Sequence, residues 1–272
     1  MSADAVPMAA VIIRPRSRGV RSFVGDTLLL TRRNLMLTIR TPELVIFAAV
    51  MPIMFVLLFR YVFGGSIHVP GYDNYIDYLM PGIVVQTALF GGSSSAVGVA
   101  DDFSKGVTDR LRSLPTNRAA ILAARTLADL VRLAYTMALL VAIGLLVGFR
   151  FHNSFLPVVA GLGIALLFGY ACSWLFTLVG LMVRNVESAT LVGILITFPL
   201  VFAASTFTST KFMPSGLRAF AEAQPVTQVA NALRTLTHGH GFQGHAPVAA
   251  IMWSLGILAG SALLASWKFR RI

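Results

Sequence analysis

KGVTDRLRSLPTNRAAILAAR, residues 105–125, carries five of the chain's 22 lysine and arginine residues and stands between two long segments with almost no charge. Within it Val107, Leu111 and Leu114 recur at i, i+4 and i+7, so a short helix here has one apolar stripe, with Lys105, Asp109, Arg110 and Arg112 around it. Pro115 ends that helix, because the residue before a proline is driven out of the helical region. Thr116 or Asn117 can then cap a second helix, which runs on into apolar sequence. A compact basic hairpin between two apolar runs has to be placed relative to a lipid bilayer, and the rest of the chain says where.

Hydrophobic residues make up 56% of the 272 and charged residues 12%, against about 45–50% and about 25% in soluble domains. Mean hydropathy is +0.77. The chain is therefore expected to be an all-α polytopic membrane protein. Its net charge of +11 would point to nucleic acid in a soluble chain, but here it reports topology. Cys172 is the single cysteine, which excludes an intramolecular disulfide and a CxxC metal site. The opening MSADAVPMAAVII precedes Arg14, Arg16, Arg18 and Arg21, the reverse of a secretory signal's charge order, so no cleaved targeting segment is expected.

A helix needs about 20 mostly apolar residues to cross the hydrocarbon core. Six segments qualify: 44–63, 80–100, 127–149, 156–183, 188–207 and 248–267. The second holds GGSSSAVG, small rather than greasy, which suits close helix packing. The expected organisation is one transmembrane domain over 1–272: a cytosolic segment 1–43, a six-span core 44–268 and a cytosolic tail 269–272. Sixteen basic residues fall on the side of the two termini and of the 105–125 loop, and four on the other. The positive-inside rule then puts both termini in the cytoplasm.

Two extramembrane features remain. From about Val20 to Arg40, Phe23, Thr27, Leu30 and Leu37 fall near one helical face, so an amphipathic helix is expected in the interface plane. Thr41-Pro42-Glu43 reads as the start of a new helix. In the fifth loop Phe212, Leu217 and Phe220, then Val226, Val229, Leu233 and Leu236, recur at helical spacing on either side of Gln224-Pro225. Two short amphipathic helices are expected there, on or dipping into the outer leaflet.

The order of these parts resembles the type-2 ATP-binding-cassette exporter permeases, and within them the daunorubicin-resistance-type subunits. The residues that carry the resemblance are the basic hairpin at 105–125, VGFRFH at 147–152 and QPVTQVANALRTL at 224–236. The resemblance implies a coupling helix formed by Lys105, Val107, Arg110, Leu111, Arg112, Leu114 and Pro115, docking into an ATPase subunit. It implies two copies of that ATPase, a second permease chain, identical or homologous, and a location in the bacterial cytoplasmic membrane. The cargo would be a drug, an antibiotic or a lipid. A polysaccharide or teichoic-acid exporter of the same fold is the alternative, and a continuous aromatic belt would favour it. The chain has no G-x-x-x-x-G-K-[ST], since none of Lys105, Lys211 and Lys268 follows a glycine. No cofactor is expected on this chain, and ATP and magnesium belong to the partner.

Other residues are weighed singly. Arg125, Asp129 and Arg132 fall at i, i+4 and i+7 and form a charge stripe at the cytosolic end of the third span, with either a structural or a functional role. Pro52 and Pro199 lie mid-span and are expected to kink it. With Phe55 and Phe202 they are candidate elements of a pathway or gate. Phe212, Phe220, Pro225 and Arg234 mark the outer re-entrant helices. Arg60 is expected to snorkel to head groups. His238, His240 and His245 lack an acid or cysteine beside them, so no metal is expected. Gly91/Ser95, Gly144/Gly148 and Gly256/Gly260 are expected packing contacts. A proton-coupled transporter or membrane-embedded enzyme would need acids or histidines within the bilayer, and Asp129 alone qualifies.

Overall fold

The structure, a computed structural model, describes residues 20–40, 42–64, 69, 71–72, 74–107, 118–183, 185–239 and 245–271. Among them there is no strand. α1 (Val20–Arg40) precedes α2 (Pro42–Leu58), which widens into a π-helical turn, Phe59–Phe63. There follow α3 (Tyr75–Ser104), α4 (Arg118–Val147), α5 (Phe155–Val183) and α6 (Val186–Phe202). A 3-10 turn (Thr210–Phe212) leads to α7 (Ser215–Ala223), α8 (Pro225–His238) and α9 (Ala246–Arg271). α7 and α8 meet at Gln224-Pro225, with proline in the first turn of α8, where its missing N–H costs nothing.

Among the described residues four helical stretches are long and apolar enough to span a bilayer: Tyr75–Ser104, Ala119–Val147, Phe155–Val183 and Ala246–Phe269. Ala49–Phe63 and Val186–Phe202 are apolar but shorter. The span read at 188–207 therefore ends five residues early. Pro199 lies in the last turn of α6, and the amide of Ala203 closes on its carbonyl at 2.9 Å. Beyond it, the carbonyls of Ser205 and Thr206 are taken by Arg234 from α8, at 2.7 and 3.3 Å. Apolar composition runs past the helix end because this turn is buried against protein, so hydropathy does not register the break. Pro52, by contrast, lies inside the continuous α2.

α3 and α5 form the centre, with α4, α6 and α8 against α3, and α9 against α5. Their close approach depends on glycine. A Cβ on Gly92 would lie 2.6 Å from the Cβ of Cys172, and one on Gly180 2.6 Å from the carbonyl oxygen of Ala96. Gly82 and Gly169 are closed off in the same way by Thr206 and Leu133. The expected pairs fare differently. Gly256 and Gly260 face open space, and Gly148 is a turn residue with φ +107°. Small-xxx-small spacing marks a face that can pack without showing which partner reaches it.

α1 lies against α4 through a polar face. Thr27 and Thr31 are buried, and each hydroxyl donates to the carbonyl four residues back at 2.7 Å. That local bond lets threonine be buried without an external partner. Thr31 also reaches Ala124 O at 3.3 Å. Leu28, Leu29, Met36, Leu37 and Ile39 are exposed, so on the face read from Phe23, Thr27, Leu30 and Leu37 the threonine is buried against protein while Leu37 is not.

Candidate functional site

Where α3 ends and α4 begins, α1 and the last turns of α5 and α9 close around a cavity of about 520 Å³. Its walls are apolar at Leu37, Val99, Ile121, Leu122, Leu181 and Phe269 and charged at Asp101, Asp102, Lys105, Arg125, Asp129 and Arg132. The charges are cross-linked. Lys105 reaches Asp101 at 2.8 Å, Arg125 pairs with Asp102 from α4 to α3, and Arg132 meets Asp129 at 3.0 Å. Ser95 donates to Asp129 at 2.6 Å, and Arg132 donates to Ser94 at 2.6 Å. Gly98 makes room for this, since a Cβ there would strike the Arg125 guanidinium.

Of the stripe Arg125, Asp129, Arg132, the last two pair with each other and the first does not join them. Its first member is paired to another helix, because Asp101-Asp102 ends α3 directly opposite. Sequence reading that began at Lys105 cut these acids away; an acidic pair just before a basic hairpin was the available signal. Lys105 and Val107 border the cavity, and Gly106 supplies the left-handed turn after α3 at φ +64°. Arg110, Leu111, Arg112, Leu114 and Pro115 lie outside the described residues.

A second feature joins α2, α3 and α6. Phe59 stacks on Phe207 at 4.7 Å, Phe55 lies 6.1 and 6.0 Å from Phe59 and Phe207, and Phe202 lies 5.6 Å from Phe207. The series continues through Phe198, 5.5 Å from Phe202, to Phe90 on α3 at 6.0 Å. Phe198 and Phe202 remain exposed. Phe55 and Phe202 are therefore members of one aromatic seam, which the sequence concealed because its rings come from four separated segments.

The remaining expected residues are dispersed. Phe212 lies in the 3-10 turn and Phe220 is half exposed on α7. Arg234 is wholly buried. It donates to Tyr78 O and Asn231 Oδ1 at 3.0 Å each, to Ser205 Oγ at 3.0 Å and to Ser205 O at 2.7 Å. Arg60 does not simply extend to head groups: its Nε donates to Val147 O at 3.4 Å, using a carbonyl that the end of α4 leaves free. His238 meets Asp77 and His152, and His240 lies outside the described residues.

Comparison with known proteins agrees with this architecture. The chain is 32% identical over 216 residues, 79% of its length and 76% of the relative's, to the daunorubicin resistance ABC transporter permease protein DrrB1 of Streptomyces coeruleorubidus. It is 28% identical, over 98% of its length and 96% of the relative's, to the probable doxorubicin resistance ABC transporter permease protein DrrC of Mycobacterium tuberculosis. Residues 26–237, from α1 to the end of α8, match the ABC-2 type transporter model, and the chain belongs to that family.

Proposed function

We propose that this chain is the membrane permease of an ATP-driven exporter carrying a hydrophobic or amphipathic compound, a drug, antibiotic or lipid, out of the cytoplasm or the inner leaflet. The observation that carries the cargo class is the phenylalanine seam between α2 and α6, with Phe198 and Phe202 open to the surroundings. Rings without hydroxyls offer stacking and apolar area but no hydrogen bonds, which favours a flat apolar surface over a sugar. The names of the relatives agree with such a cargo. An aromatic series does exist here, but as phenylalanine alone it does not revive the polysaccharide alternative.

Energy comes from a separate ATPase, present twice, that docks where residues 105–115 leave α3. Arg125–Asp102, Ser95–Asp129 and Arg132–Ser94 tie that end to α4, so a push on the hairpin moves α3 and α4 together. The excess of basic residues supports placing this end in the cytoplasm. Two permease chains, identical or homologous, complete the pathway, and ATP closure of the ATPases shifts it between inward and outward states.

The test is reconstitution of the chain with its ATPase in vesicles loaded with daunorubicin, following efflux by fluorescence. ATP-dependent efflux is expected, and Leu111→Asp should abolish both efflux and ATPase association while leaving membrane insertion intact. Efflux indifferent to ATP but abolished by collapsing the proton gradient would overturn the reading.

A further inference from the structure

At the other end of α3, 24 residues from Asp101 and so about 36 Å away along the helix, Asp77, His152 and His238 bring one ligand atom each within 4.8 Å of one another. They come from three elements. Asp77 is in the first turn of α3, where the positive helix end favours a carboxylate. His238 is the last residue of α8, ended by Gly239 in the left-handed conformation at φ +71°. His152 belongs to the turn after α4, which is docked on the end of α8. There the amides of His152 and Asn153 donate to Thr237 O at 3.0 and 3.1 Å, and Asn153 Nδ2 donates to Leu236 O at 3.2 Å.

The hydrogen bonds around His238 favour one tautomer. The Thr237 hydroxyl donates to Leu233 O at 2.8 Å, so its one hydrogen is committed to the helix. Its oxygen, 2.9 Å from His238 Nδ1, therefore accepts, and Nδ1 carries the proton. Nε2 is left with its lone pair. It is buried without a hydrogen-bond partner and faces Asp77 Oδ1 at 3.8 Å. Two electron-rich atoms opposed in a buried place need a positive charge between them.

A proton would draw them to about 2.7–2.9 Å. Zinc, with bonds of about 2.0–2.2 Å to nitrogen and oxygen, separates tetrahedral ligands by about 3.3–3.5 Å, and the 3.8 Å between His238 Nε2 and Asp77 Oδ1 is nearer to this than to a proton-bridged distance. Nitrogen donors disfavour calcium and magnesium. The Thr237 bond to Nδ1 is the outer-shell contact that orients a metal-ligating histidine, and the Arg150 amide, 3.2 Å from Asp77 Oδ1, orients the carboxylate. Tyr72 and Phe149 pack against the His238 ring at 5.5 and 5.8 Å. Burial pushes the Tyr72 phenol up to about 12, so it stays protonated and serves as a wall.

We propose that Asp77, His238 and His152 form a binding site for a divalent transition-metal ion of the zinc class, with the fourth position open to water on the exposed side of His152. The ion cross-links the start of α3, the turn after α4 and the end of α8, and so pins the α8 plug to the bundle. Neither the family match nor the names of the relatives implies it.

The full chain, purified in mild detergent and stripped with chelator, is titrated with Zn²⁺ by calorimetry and with Co²⁺ by visible absorption. One ion per chain is expected, with the visible bands of four-coordinate Co²⁺ and a rise in thermal midpoint on adding zinc. His152→Ala, a change at an exposed side chain, should weaken binding by about tenfold or more and remove the thermal shift; Asp77→Asn should do the same. No saturable binding to the wild-type chain, or equal binding to His152→Ala, overturns the proposal, and an Asp77–His238 proton-linked pair then remains.

Discussion

The guanidinium of Arg234 lies 3.7 Å over the ring of Tyr78 while its Nε donates to the same residue's carbonyl at 3.0 Å. The Tyr78 hydroxyl in turn donates to Ser205 O at 2.8 Å, so α3, α8 and the turn after α6 share one buried knot. Arg234→Ala removes the donor to the buried Thr206 O, at about 1–3 kcal/mol, together with the bonds to Tyr78 O, Ser205 O, Ser205 Oγ and Asn231 Oδ1. The thermal midpoint of the detergent-solubilised chain should fall sharply. Arg234→Lys should recover little of it, because an ammonium cannot reproduce the planar fork or the stacking.

The approach of α3 to α5 gives a second expectation. Gly92→Ala places a methyl 2.6 Å from Cys172 Cβ and 2.9 Å from its carbonyl carbon. Overpacking of this kind costs about 1–3 kcal/mol. Cys172→Gly in the same chain should restore part of the loss, as measured by thermal unfolding, because only the side-chain half of the clash is removed. Gly256→Ala, facing open space, should be neutral in the same assay.

How much of this was legible follows from which interactions are local. The helices and the break at Gln224-Pro225 could be read because periodicity and proline act within a few residues. Thr27 was read on the apolar face without its neighbours, because a threonine bonded to its own helix can face protein as well as water. Arg234 was placed on the right helix, but its burial was invisible, since three of its oxygen partners are backbone carbonyls that any sequence possesses and Ser205 comes from a distant turn. Phe59 and Phe207 are 148 positions apart and Asp77 and His238 are 161 apart. Pairing over such distances is decided by the packing of α3 against α8 and of α2 against the turn after α6, which no single-chain pattern records.

Acid should loosen α7 selectively. The Arg218 hydrogen bond at 2.7 Å, with Thr210 at 3.1 Å, holds the Glu222 carboxyl below the usual carboxylate range despite some burial. A group whose folded value is depressed stabilises above its unfolded value and ceases to do so as pH falls through the folded one. Hydrogen exchange of α7 amides should therefore show protection, corrected for intrinsic rates, that declines below about pH 4. Glu222→Gln should flatten that profile, with a small amplitude because the pair is exposed.

The phenylalanine seam makes cargo recognition separable from stability. Phe207→Leu keeps an apolar side chain between α2 and α6 but removes the ring that stacks on Phe59 at 4.7 Å. Efflux of a flat aromatic compound should show a several-fold higher KM with little change in thermal midpoint. An aliphatic amphiphile should be affected less. Equal losses for both would assign Phe207 to packing alone.

The charged cavity makes coupling testable in the same vesicles. Arg125 crosses from α4 to Asp102 on α3, and Gly98 leaves it the space to do so. If these ties carry the push from residues 105–115 into the spans, Asp102→Asn should lower ATP-driven efflux several-fold while ATP hydrolysis by the partner continues. The reason is mechanical: the hairpin still docks, but α3 and α4 no longer move as one. Asp102→Arg combined with Arg125→Asp restores the opposed charges in reverse and should recover efflux in part, with the bulk of the reversed arginine limiting recovery. A parallel loss of hydrolysis and efflux in Asp102→Asn would instead assign the pair to docking of the ATPase, upstream of any movement of the spans.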